Sequence, residues 1–183
     1  AFTFFDLEPL GIAGVGSGDN FTILTCVRLA TTPCGTILWV GGQTNEYLSG
    51  ENQNSRLAGQ GYQGFVAPFV LSGPGFIGYF SLVGDEQNYT AVTALSSDNN
   101  RFYVGGFSSE NLTTGEPYNG MVLTNFTLQT DFASGFTDIK QIGTGTSFQI
   151  LTSMESDTFG NFYVGGLSAE HLPSGPSLEG DTT

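Results

Sequence analysis

The sequence predicts an all-β protein made of repeated four-stranded antiparallel sheets. Three observations carry that prediction. The tetrad Trp39-Val40-Gly41-Gly42 returns as Tyr103-Val104-Gly105-Gly106 and again as Tyr163-Val164-Gly165-Gly166, at spacings of 64 and 60 residues. A period of that size marks a supersecondary unit copied in series. Short runs rich in Val, Ile, Thr and aromatic residues alternate with Gly-, Asn- and Ser-rich turns, which is the pattern of strands and hairpins. No apolar pattern of 3.6-residue period runs far enough to make a helix.

Aligning the chain on the tetrad defines the elements in order. Residues 20–26, 88–94 and 147–153 correspond and read as first strands, each ending in a polar turn at 30–33, 96–100 and 155–160. The tetrad strands follow at 37–42, 102–106 and 162–166; aromatic and Val residues before two glycines suggest a buried strand that another backbone approaches closely. Next comes a loop with a shared Glu and Leu, at 46–50, 110–115 and 170–175. Third strands are expected at 64–70 and 120–126, and the third unit reaches only Gly180 and the three residues after it. Pro68 falls inside the first of these, where it implies an edge or an irregularity. Fourth strands are expected at 76–84 and 136–143, and residues 2–11 match them.

The chain therefore reads as one repeat domain, 1–183. Residues 1–15 hold the fourth strand of a preceding unit, 16–84 the first full unit, 85–143 the second and 144–183 a partial third. Four-stranded antiparallel units repeated about an axis are β-propeller blades, here about three blade-equivalents, out of phase at the termini. The residues Gly160-Asn161-Phe162-Tyr163-Val164-Gly165-Gly166-Leu167-Ser168, followed by a Leu-Pro loop, resemble the SBBP type of propeller repeat, in which such a strand precedes a Phe-Pro loop and a Gly-led hydrophobic strand. The similarity extends over almost the whole chain, and the longer loop of the first unit and Pro68 depart from it. The resemblance implies an extracellular or surface protein with no set catalytic residues.

Three units are too few to close a propeller ring. Unlike, unpaired ends favour head-to-tail contact between copies through complementary strand edges, giving a ring or a filament. A fragment of a longer array is the alternative. With no initiator Met and no signal-peptide pattern at the start, Ala1 reads as the start of a mature, processed or truncated chain.

Charge narrows the partners. Four basic residues face 17 acidic ones, for a net charge of −13. A phosphate backbone requires Lys and Arg to displace its counterions, so nucleic acid is not an expected partner. No run approaches 18 apolar residues, so no membrane insertion is expected. Scarce Lys suits a secreted or cell-surface protein, as do the four N-x-S/T triplets at Asn20, Asn88, Asn111 and Asn125. These are candidate glycosylation sites, with plain turn chemistry as the alternative reading.

Candidate chemistry is sparse. Cys26 and Cys34 flank the first hairpin turn; cross-strand neighbours about 5.5 Å apart accept a disulfide, the alternative being two reduced small side chains. His171 is the sole histidine, which removes the His-containing triads and metal sets. Glu46, Glu110 and Glu170 recur in register, which suits a structural role such as accepting loop N–H groups. The run from Asp85 to Asn88 lacks the spacing of a calcium loop. No metal, cofactor or enzymatic activity is expected. Loop aromatics Tyr47, Tyr62 and Tyr118 are suited to stack on sugars. The expectation is thus a structural or adhesive glycoprotein module that assembles with itself. The alternative is a propeller lectin using the loops of Glu46, Tyr47, Glu110, Tyr118 and Glu170 to bind glycans.

Overall fold

The computed structural model describes residues 22–32, 35–45, 61–70, 75–76, 81–85, 87–98, 101–118, 123–130, 136–143, 145–157, 159 and 161–169. These residues are all-β and contain no helix. Three antiparallel sheets follow one another along the chain. The first joins β1 (Thr22–Thr32), β2 (Gly35–Thr44) and β3 (Gln63–Val70), with β4 (Gly75–Phe76) and β5 (Ser81–Val83) both on the outer side of β3. The second joins β6 (Thr90–Ser97), β7 (Phe102–Ser108), β10 (Thr124–Thr130) and β11 (Phe136–Ile142) in that order. The third pairs β12 (Gln149–Ser156) with β13 (Phe162–Ser168). Between β7 and β10 lies a small hairpin of β8 (Glu110–Asn111) and β9 (Glu116–Pro117). The segment 2–11 lies outside the described residues.

Strand lengths and one register differ from the sequence expectation. β1, β6 and β12 run on through Thr32, Ser97 and Ser156, into residues expected to turn. The third strand of the second unit is β10, four residues beyond the expected start at Gly120. What places it is an aromatic ring: Phe126 pairs with Gly106 as Phe65 pairs with Gly42. Each ring lies over its glycine. Packing on the tetrad, rather than local strand propensity, therefore fixes this register. Pro68 sits within β3, whose ladder with β2 is unbroken. On the other side, β5 pairs with Gly64–Val66 and β4 with Phe69–Val70. Pro68, which has no N–H to give, falls between the two ladders.

The sheets stack face to face. Trp39 and Val66 of the first meet Val92, Leu95, Phe102 and Phe126 of the second in the largest core. The Trp39 and Phe102 rings stack with centroids 4.4 Å apart. A second, smaller interface packs Ala94 and Tyr103 against Leu151 and Met154. Full burial of such side chains stabilises the fold by roughly 1.5–3 kcal/mol each. Backbone bonds recur at the junctions: Thr90 N–H donates to Tyr62 O at 2.7 Å, and Gln149 N–H to Leu123 O at 2.8 Å. The first strands draw together across the stack, so that Arg28 of β1 reaches Glu155 of β12 at 2.6 Å.

Candidate functional site

The joint between sheets is built from the tetrad and the strand beside it. Each first strand bulges opposite the glycines, with register skips at Leu24/Cys26, Val92/Ala94 and Leu151/Ser153. The residue left unpaired is Thr25, Thr93 or Thr152. Thr25 Oγ1 donates to Val92 O in the second sheet, and Thr93 Oγ1 to Leu151 O in the third. Donor and acceptor thus occupy equivalent positions in successive units. Thr25 Oγ1 also lies 3.2 Å from Gly41 O of its own sheet, and Thr152 Oγ1 makes the equivalent contact, to Gly165 O at 3.3 Å, with no bond to a further sheet among the described residues. Sequence reading passed over these threonines as ordinary strand formers, although the same position holds Thr in all three units.

The two tetrad glycines answer to different neighbours. A Cβ on the second would lie 1.9 Å from Ile23 O at Gly42, 2.0 Å from Ala91 O at Gly106 and 2.2 Å from Ile150 O at Gly166. The bulge itself therefore forbids a side chain. A Cβ on the first would meet the next sheet: Val92 Cγ1 at 2.8 Å from Gly41, and Leu151 Cδ2 at 3.1 Å from Gly105. At Gly165 it would meet Ser153 Oγ of its own sheet, at 2.6 Å, and no atom of a further sheet.

A hairpin clamp orients the aromatic residue of the tetrad in the second and third units. Asp98 Oδ2 accepts from Tyr103 Oη at 2.9 Å, and Asp157 Oδ2 from Tyr163 Oη at 3.2 Å. Asp157 also receives the Asn161 side-chain amide and the N–H groups of Asn161 and Phe159. These donors, the Asn161 amide foremost, hold its carboxyl below the usual aspartate range.

Among the recurrent glutamates, Glu46 and Glu170 lie outside the described residues, as do Tyr47 and His171. Glu110 is buried. Its carboxylate accepts the Asp85 N–H at 2.5 Å and the Asn88 side-chain amide at 3.1 Å. Burial pushes its pKa up, against the pull of the Asp85 N–H. It thus ties its own hairpin to the start of the second unit and is turned away from solvent. Tyr118 is half-buried with its ring against Gly145, and Tyr62 packs edge-on to Tyr89. The structure does not gather these residues into one surface. Glu110 does line a cavity of about 370 Å³ with Leu82, Leu112, Leu128 and Phe136, an apolar space between the first and second sheets. No group of three or more His, Cys, Asp or Glu side chains is gathered among the described residues.

The glycosylation triplets separate by burial. Asn20 lies outside the described residues. Asn125 is buried within β10, and its neighbour Thr127 is buried too, so a sugar there would have to displace a packed strand. Asn88 gives its amide to Glu110, and Thr90 is buried against Ser108. Asn111 is half-exposed at a turn, where its Oδ1 accepts from Thr113 N–H at 3.0 Å. That turn is the one described triplet open to a glycan.

Cys34 lies outside the described residues. Cys26 does not flank the hairpin end as the sequence suggested: it stands opposite Gly41, six places from the closing pair Thr32–Gly35, because β1 is longer than expected. It is a free thiol lying against Val92 of the second sheet. Burial pushes its pKa up to about 11.

A second cavity, of about 320 Å³, opens along β13 between the second and third sheets. No protein-family model matches the chain, and no curated protein matches it.

Proposed function

We propose that the chain is a non-enzymatic, extracellular structural or adhesive glycoprotein module. In this reading it is a propeller-type repeat of the SBBP kind that joins copies of itself head to tail into a ring or filament. One observation carries the reading. The outer face of the third sheet keeps Thr152, Tyr163 and Gly165, whose counterparts face a following sheet at both internal joints. Yet Tyr163 is 63% exposed where Tyr103 is 3%, and Leu167 is 64% exposed where Phe107 is 9%. On the opposite side of the stack, Val27 and Leu29 of the first sheet are exposed. Val27 holds the place of Leu95 and Met154, which fill the internal joints. Unlike faces of this kind support a heterologous contact, which closes into a ring or runs on as a fibre. Scarce lysine and the open turn at Asn111 support an extracellular, glycosylated setting.

The lectin alternative needs Glu110 and Tyr118 presented to a sugar, and the burial of Glu110 weighs against it. Sedimentation velocity over a range of concentrations tests the assembly. The expected result is concentration-dependent association that Tyr163→Arg abolishes while its circular dichroism shows the chain still folded. A folded monomer at every concentration would overturn the proposal.

A further inference from the structure

We infer that the outer edge of β13 is an acceptor groove for an extended strand bearing phenylalanine, donated by another unit of this repeat. In the first two sheets the tetrad strand has a third strand on its outer side: β3 beside β2, and β10 beside β7. Each of these places a phenylalanine opposite the second tetrad glycine, Phe65 on Gly42 and Phe126 on Gly106. Both rings are fully buried. The bulge explains why a ring belongs there, since it keeps that position glycine and leaves a hollow on the sheet face.

The third sheet has the hollow and lacks the ring. Gly166 is held bare by Ile150 O as its counterparts are, but among the described residues no strand pairs with the outer edge of β13. The space is the cavity of about 320 Å³ lined by Val164, Gly166 and Ser168 of β13, Leu151 of β12, and Asn125 and Ile142 of the second sheet. Val164 is 42% exposed there, against 0% for Val104 and 3% for Val40. Asn125 Oδ1, buried and without a hydrogen-bond partner, lines the same space. Residues 169–183 include no phenylalanine. Backbone ladder bonds would give such a strand its affinity, and the ring pocket its selectivity, as in other cases of strand addition.

The donor's identity rests on the reading of the chain as an assembling repeat; the groove itself is tested separately. The probe is a labelled peptide with the β10 sequence, Thr-Asn-Phe-Thr-Leu-Gln-Thr, titrated into the full chain and followed by fluorescence anisotropy. Saturable binding is expected, with the peptide carrying Ala in place of Phe binding at least ~10-fold more weakly. Val164→Arg, confirmed as folded by circular dichroism, should weaken the Phe peptide at least as much. Equal binding of the two peptides, indifference to Val164→Arg, or no saturable binding would overturn the groove. A chain that takes the peptide but never associates with itself would overturn only the assembly reading.

Discussion

Glu110 gives up its hydration and receives the Asp85 N–H and the Asn88 amide in return. Removing the carboxylate takes the acceptor from both donors, and a buried group left unsatisfied costs about 1–3 kcal/mol. Glu110→Ala is expected to destabilise the chain by about 2–3 kcal/mol in urea unfolding. The pH dependence has a definite sign. The folded-state pKa of Glu110 is raised, so its contribution is complete below the ordinary glutamate pKa of about 4.3. It is lost as the pH rises through the folded value. Glu110→Gln removes that dependence, so the stability difference between wild type and variant should change between pH 4 and pH 7. A constant difference would show that the carboxyl titrates normally. The recurrence of this glutamate was legible in the sequence. Its burial was not, because burial comes from a hairpin and a neighbouring unit that the alignment alone does not bring together.

At the scale of the strand, the tetrad and its hairpin were legible because two glycines after an aromatic-Val pair are a strong local pattern. The third strand of the second unit was misplaced for a physical reason. Residues 120–123 read as strand as well as Thr124–Thr130 does, and only the seat of Phe126 on Gly106 decides between them. The threonine bulge was in plain view but has no local signature apart from its recurrence. Its role makes a paired test possible. Thr93→Val removes a hydroxyl that bonds the next sheet and is expected to cost about 1 kcal/mol. Thr152→Val removes one that bonds only its own sheet at the surface and should leave urea stability nearly unchanged. Equal costs would mean that the hydroxyl serves the bulge rather than the joint.

Among the described residues, apolar packing holds the sheets together at two joints, and charge adds little. The Arg28–Glu155 pair links the first and third sheets, but both side chains are partly exposed. Pairs of that kind contribute at most about 1 kcal/mol and weaken with salt. Arg28→Ala is therefore expected to shift unfolding by less than about 1 kcal/mol, an effect that 1 M salt should erase. A larger, salt-resistant loss would point to packing by the arginine stem. The all-β class and the serial organisation were readable from the period. The stacking direction was not, since it depends on which face of each sheet carries the bare glycine.

Leu24 and Thr25, like Val92 and Thr93, or Leu151 and Thr152, are adjacent in sequence. The second unit therefore carries the acceptor of one joint, Val92 O, and the donor of the next, Thr93 Oγ1, side by side, and the other two units hold like residues at the same places. A stretch of the gene copied whole brings both halves of a working interface with it. Lengthening by tandem duplication then requires no new complementarity to evolve, and units exchanged in order should still fit their neighbours.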